Sequence, residues 1–274
     1  MLVETADGVT FLGHATVALR LGGTSVLTDP LLTRGLGPLA RLGPTPRAVE
    51  DGGLDAVLIS HLHHDHLNLR SLRRIGDEVA VVLPKGGGRL ARRAGTVVEL
   101  EPGESVAVGA LEVTAVPARH DDRRAPWRGW IRARPQGYLI GGAGRRVYFA
   151  GDTELFPEMA ALAPLDLALL PIWGWGRSLG PGHLDPAAAV EALALLRPRV
   201  AVPIHWGTLY PRGLRRLWAD ALAEPAREFA RLAAERAPEV DVQVLAPGAA
   251  LGLPRRAPGD ERADGGFDRR EHRP

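Results

Sequence analysis

The stretch Ala56-Val57-Leu58-Ile59-Ser60-His61-Leu62-His63-His64-Asp65-His66 decides how this chain is read. Its first five residues form a short, continuously apolar run of the kind that buried strands use. Four histidines and an aspartate follow within six positions. Alternation in an extended segment puts His61 and His63 on one side, and a turn at the strand end brings Asp65 and His66 round to a neighbouring point. A lone loop histidine is normally a solvated side chain. This density of imidazole and carboxylate at a strand end suits two metal ions held a few ångströms apart.

The rest of the composition narrows the chemistry. Cysteine is absent from the 274 residues, which removes disulfides, thiolate nucleophiles and Cys-bound metal or iron–sulfur sites. Any metal must therefore be held by His and carboxylates. The formal charge is only +2, and Lys85 is the single lysine among many arginines; so small an excess, without a concentrated basic stripe, argues against a nucleic-acid partner. With 45% hydrophobic and 24% charged residues the chain has the composition of a globular protein. No apolar run reaches the roughly 18 residues needed to span a bilayer. The first residues, MLVETADGVTFLGH, lack a basic segment followed by an apolar one. The expectation is a cytoplasmic protein with no transmembrane segment.

Outward from the histidines, β-type runs at 9–12, 15–21 and 25–28 surround the turn pair Gly22-Gly23, a hairpin signal. The Gly/Pro-rich stretch from Asp29-Pro30 to Gly53 has no sustained period and is expected to be an irregular loop. Short helices are expected at 69–75 and 88–94, with strands at 79–83, 96–100, 105–108, 111–116, 138–140 and 145–150. Helices at 186–196 and 214–236 flank a strand at 200–203, and a last strand is expected at 240–245. Many strands with flanking helices suggest a layered α/β domain. Residues 254–274 are Pro, Gly and mixed charge and are expected to be disordered.

The spacing His61-x-His63-x-Asp65-His66 resembles the HxHxDH signature of the metallo-β-lactamase fold superfamily. That pattern continues with a His, an Asp and a His, each after a strand. Here Arg119-His120, Gly151-Asp152-Thr153 and His205-Trp206-Gly207-Thr208 follow apolar runs in the same order. The resemblance covers residues 9–253. It implies an α/β αββα sandwich, two mixed β-sheets face to face with helices on the outer faces, and a hydrolase domain spanning residues 1–253. Carried over position by position, His61, His63 and His120 would bind one metal, Asp65, His66 and His205 the other, and Asp152 would bridge them. Two divalent cations are implied, zinc first, with manganese or iron as alternatives because His and Asp ligands do not fix the metal.

Within the superfamily, Leu12-Gly13-His14-Ala15-Thr16 and Thr28-Asp29-Pro30 resemble the branch containing ascorbate-6-phosphate lactonases and N-acyl-phosphatidylethanolamine phospholipase D-like enzymes. Trp127-Arg128-Gly129-Trp130 and Gly182-His183-Leu184-Asp185-Pro186 resemble the second group. The resemblance implies hydrolysis by a hydroxide activated between two metals, on a phosphodiester in the first instance. A lactonase, or an iron-dependent oxidoreductase on the same fold, is the alternative. Asp65 is then both ligand and proton acceptor, and His183 a catalytic and substrate-contacting group. His14 is a candidate partner orienting a ligand. Trp173, Trp175, Trp206 and Tyr210 could wall the site, and Arg119, Arg123 and Arg124 could attract an anion at its mouth. The expected substrate is a small or lipid-like anion.

Overall fold

In the computed structural model, residues 7–46, 53–92, 95–124, 131–174 and 180–253 are described. The hairpin signal at Gly22-Gly23 is realised: both glycines take positive φ, 55° and 84°, and join Thr16–Leu21 to Thr24–Thr28. That hairpin belongs to a seven-stranded sheet. Across it run Ala250–Gly252, Gly8–Gly13, Thr16–Leu21, Thr24–Thr28, Ala56–Leu58, Ala80–Pro84 and Val97–Leu100. The pairings are antiparallel as far as Thr24–Thr28 and parallel beyond it.

A second seven-stranded sheet has the same mixed character. Ser105–Val108, Leu111–Pro117, Gln136–Gly142 and Arg145–Phe149 pair antiparallel. Leu165–Pro171, Pro198–Ile204 and Asp241–Val242 then continue in parallel. Leu165–Pro171 was not expected as a strand from the sequence. Every residue in it is buried, so it lacks the in–out alternation that marks a half-exposed strand. The strand expected at 240–245 shrinks to Asp241–Val242. The stretch expected to be an irregular loop contains two short strands, Gly35–Leu36 and Leu39–Arg41, which pair with each other, the second also pairing with Leu209–Pro211.

Alternation along the strands creates three apolar layers. Phe11, Val17, Leu58 and Val82 of the first sheet meet Val113, Tyr138, Phe149, Leu169 and Val202 of the second. The opposite-facing Tyr148, Ala168, Leu170 and Ala201 pack under Pro186–Leu196 and Arg215–Arg236. Val57, Ile59, Val81 and Leu83 are covered by Leu69–Ile75 and Gly88–Ala91. The result is the expected αββα sandwich. Two helices begin where local chemistry dictates: Asn68 and Asp185 accept the backbone N–H of Ser71 and Ala188, at 3.0 and 2.8 Å. Pro186 occupies the first turn of the second. No helix among the described residues is long and apolar enough to cross a membrane.

One polar tie crosses the central layer. The Tyr138 hydroxyl, fully buried in the second sheet, donates to the carbonyl of Ile59 in the first at 2.7 Å and accepts from Gln136 Nε2 at 2.9 Å. Ile59 lies two residues before His61, so this bond steadies the segment that carries the histidines. Tyr138→Phe leaves buried groups without their partner and should cost about 1–3 kcal/mol. Urea unfolding would read it as a lower midpoint at unchanged slope.

Candidate metal centre

The strands end along one edge of the sandwich, and the ligand-type side chains stand at those ends. From the first sheet come His14, Asp29 after Thr24–Thr28, and the His61–His66 segment after Ala56–Leu58. His120 follows Leu111–Pro117, Asp152 follows Arg145–Phe149 and His205 follows Pro198–Ile204 in the second. Three of these residues hold left-handed backbone, with φ of 57° at His14, 32° at Asp29 and 62° at His205. Such conformations are uncommon for residues other than glycine and gather at functional sites. A backbone bond stitches the two halves, His205 N–H donating to His14 O at 2.7 Å, and within the second sheet Arg119 N–H donates to Thr153 Oγ1 at 3.0 Å.

Donor atoms converge in overlapping groups within 4.8 Å of one another: His61, His63 and His120; His14, Asp65, His66 and His205; His120, Asp152 and His183; and Asp29, His61 and His66. His63 Nδ1 lies 3.0 Å from His61 Nε2 and 3.1 Å from His120 Nε2, and His66 Nε2 lies 3.1 Å from His205 Nε2. Tetrahedral ligands at metal–nitrogen distances of about 2.0–2.1 Å are separated by roughly 3.3 Å. Asp152 Oδ2 lies between the sets, 3.2 Å from His66, 3.3 Å from His205, 3.7 Å from His183 and 3.9 Å from His120.

The other ring nitrogen of four histidines is spoken for. His66 Nδ1 is 2.6 Å from Asp29 Oδ2, His205 Nδ1 2.6 Å from Trp173 O, and His120 Nδ1 2.7 Å from Gly182 O. All three are acceptors, so each Nδ1 carries the proton. Ser60 Oγ–H donates to Asp29 Oδ2 at 2.6 Å, and the Ser60 oxygen accepts from His61 Nδ1 at 2.9 Å. Ser60 N–H donates to Asp29 Oδ1 at 2.7 Å. Thus Asp29 orients His66 directly and His61 through Ser60. These partners select the tautomers in which Nε2 can present a lone pair to a cation. Gly182 holds its carbonyl toward His120 at φ +83°, and a Cβ there would press on His120 Nδ1 at 2.9 Å.

The charge balance favours cations. Burial opposes ionisation of Asp65 and Asp152, yet neighbouring imidazoles, His66 prominent among them, hold both well below the ordinary carboxylate range. Burial and adjacent imidazoles depress His61, and burial above all depresses His63 and His120. His205 is pushed down to about 3, chiefly by burial. His66 alone moves well up, because Asp152, Asp65 and Asp29 outweigh its burial. Its proton sits where metal charge would. Asp152 Oδ1 is buried with no hydrogen-bond partner among the described residues. A bound cation gives such an oxygen the partner it lacks, and the donor set fits that group.

The remaining sequence candidates are placed as follows. His14 Nε2 lies 3.0 Å from Asp65 Oδ2, as a carboxylate-orienting partner should. His183 reaches the cluster from the segment before Pro186–Leu196, with Nδ1 3.1 Å from Gly180 O and a side chain 23% exposed, whereas that of Asp152 is 4% exposed. Trp173 is buried and contributes its carbonyl to His205. The Trp206 ring stacks on Phe11 at 6.2 Å, and its indole N–H donates to Pro203 O at 2.9 Å. Tyr210 pairs with Ala40 in the small three-stranded sheet. Arg123 is exposed and pairs with Asp121 at 2.8 Å. Arg124 is not at the mouth: it is buried, donating to Leu62 O and Leu67 O and contacting His64 Nδ1, and burial lowers its pKa to about 10. It braces the histidine loop from behind. Trp175, the segment Trp127-Arg128-Gly129-Trp130 and residues 254–274 lie outside the described residues.

Comparison with known proteins gives the family and the fold. Residues 24–206 match the beta-lactamase superfamily domain family. The chain is 34% identical over 245 residues to N-acyl-phosphatidylethanolamine-hydrolyzing phospholipase D 1 of Caenorhabditis elegans, covering 77% of this chain and 66% of that protein. It is 32% identical over 247 residues to a UPF0173 metal-dependent hydrolase of Methanopyrus kandleri, covering 88% of this chain and 97% of that one. Igni18, described as a metallo hydrolase from Ignicoccus hospitalis, superposes with a TM-score of 0.69 at 24% identity, over 92% of this chain and 100% of the other. Fold and site define a metal-dependent hydrolase of metallo-β-lactamase architecture. The chain belongs to the beta-lactamase superfamily domain family.

Asp29 is not among the metal ligands expected from the sequence, yet it sets two of their imidazoles. Asp29→Asn should weaken zinc binding about 10- to 100-fold, the usual loss when an outer partner of a ligating His is altered. Competition with a chromogenic chelator measures this, with the exposed Glu235→Gln as a variant that should bind normally.

Proposed function

We propose that this hydrolase is a phosphodiesterase holding two divalent cations. His61, His63 and His120 hold one, Asp65, His66 and His205 the other, and Asp152 is shared. Zinc is the first choice, with manganese or iron as alternatives. The observation that carries the reading is the inward turn of four Nε2 atoms whose opposite Nδ1–H groups are all committed to protein acceptors. When bound, such cations provide hydroxide near neutral pH and neutralise charge developing at the reacting centre.

The chain's own groups supply the rest. Asp65 is held by His14 at 3.0 Å, leaving its carboxylate oriented to accept a proton from the attacking water. His183, the cluster member with the more open side chain, faces incoming substrate with Nε2 while Gly180 fixes Nδ1. It would hold a non-bridging oxygen or protonate the leaving group. The enclosed floor, where His61, Asp65, His66 and His205 are all buried, keeps bulk water from the reacting atoms. A phosphodiester is favoured over a lactone by the activity in the name of the Caenorhabditis relative, with a small or lipid-like anion as substrate.

The test is hydrolysis of bis(p-nitrophenyl) phosphate by protein loaded separately with zinc, manganese or iron. Turnover should require metal and vanish in Asp65→Ala. His183→Ala should lower kcat by about 10²-fold or more while metal content stays at the wild-type value. Loss of metal in that variant would instead make His183 a ligand. Loaded protein that cleaves lactones and no diester would overturn the phosphodiester reading, and iron-dependent oxygen uptake would replace hydrolysis with oxidation.

A further inference from the structure

Beside His120 the surface opens into a cleft of about 750 Å³ that the proposed chemistry does not use. Its walls come from the turn after Ala80–Pro84, the end of Val97–Leu100 and the strand Ile131–Arg132. Lys85, Arg119, Arg132 and Arg134 line it, against the carboxylates of Glu101 and Asp122. Four cations against two anions leave a net charge of +2 around a concave surface. The chain's only lysine is among them, in a protein whose whole formal charge is +2.

The carboxylates do not consume this charge. Lys85 meets Glu101 at 3.3 Å and Arg132 meets Asp122 at 3.5 Å, both between side chains 40–63% exposed. Arg119 pairs with Glu158 at 3.1 Å across an equally open surface. Exposed pairs of this kind contribute little and re-pair readily with an arriving anion. No carboxylate is recorded against Arg134 among the described residues. Guanidinium forks match phosphate oxygens in a bidentate manner, and two net positive charges match one phosphate dianion.

We propose that this cleft binds a second phosphate group of the substrate, separate from the group that reacts at the metal centre. The inference rests on the metal-centre reading only for the position of the reacting group, which His120 places next to the cleft mouth. It selects phosphate-bearing molecules with two anionic ends, whether a soluble phosphorylated metabolite or a lipid whose headgroup carries an additional phosphate monoester.

Calorimetric titration of the zinc-loaded chain with alkane-1,n-bisphosphonates of increasing length, against alkyl monophosphonates of equal length, tests this without turnover. At one chain length the bisphosphonate should bind at least tenfold more tightly than its monophosphonate. Arg132→Ala/Arg134→Ala, exposed positions whose change should leave the fold intact by circular dichroism, should abolish that advantage and leave monophosphonate affinity unchanged. Equal affinities at every length in the wild type, or an advantage that survives in the double variant, would overturn the proposal. If diester hydrolysis fails but the affinity difference holds, the phosphodiesterase reading falls and the cleft stands. A second arm, sedimentation with vesicles containing phosphatidylinositol 4-phosphate, a lipid diester whose headgroup carries a further phosphate monoester, sorts the source. Retention that the double variant loses assigns the phosphate to lipid; no retention with the bisphosphonate advantage intact assigns it to a soluble substrate. Either result supports the cleft.

Discussion

The buried carboxylate of Asp29 is the constraint on which the site depends. It has no solvent exposure, and it accepts three hydrogen bonds at 2.6–2.7 Å from Ser60 N, Ser60 Oγ and His66 Nδ1. A charge so placed would be costly if isolated. Here the donors hold it, and it in turn fixes the ring planes of His66 and, through Ser60, of His61. The neighbouring strands make this possible. Thr24–Thr28 and Ala56–Leu58 run in parallel with Thr28 opposite Leu58, and Asp29 N–H donates to Leu58 O at 2.9 Å. Parallel strands deliver their next residues to the same end, so a carboxylate and a serine from distant parts of the sequence arrive side by side.

The second sheet uses the same device with backbone in place of a carboxylate. Carbonyls of Gly182 and Trp173 occupy the roles that Asp29 and Ser60 fill opposite them. Negative charge is unequal across the cluster: Asp29, Asp65 and Asp152 crowd His66, while Asp152 is the main carboxylate acting on His61 and His120. This explains why His66 is driven toward its charged form. Imidazoles and carboxylates that repel or attract one another in this way define a place whose charge is completed from outside.

Much of this was legible in the sequence because strand ends are local features. The apolar run before His61, and those before His120, Asp152 and His205, each announce a buried strand followed by a polar side chain, and each arrives in the structure as such. The helices expected at 69–75 and 186–196 likewise appear at those limits. What escaped was long-range. Asp29 lies 31 residues from Ser60 and 37 from His66, and no local pattern records that pairing. Leu165–Pro171 was hidden because burial on both faces erases the period-two signal. Leu39–Arg41 takes a partner from Leu209–Pro211, about 170 residues away, and Gly35–Leu36 joins at its other side. Arg124 looked like a surface cation, and only tertiary packing shows its guanidinium spent on the carbonyls of the histidine loop. Lys85 and Arg132–Arg134 come from separate segments, so their common cleft had no sequence signature.

The division of the cluster between two sheets has a consequence for the order of events as the protein forms. His61, Asp65 and His66 stand on one sheet, and His120, Asp152 and His205 on the other. In the proposed assignment each cation draws ligands from both sheets, and the contacts that join them are far apart in sequence, a class of contact that slows folding. On that assignment, capture of both metals follows the docking of the sheets rather than guiding it. Once captured, an ion shared across the edge becomes a clasp: to open the sandwich at its mouth the chain must first give up the metal, so the loaded protein will open more slowly than the empty one.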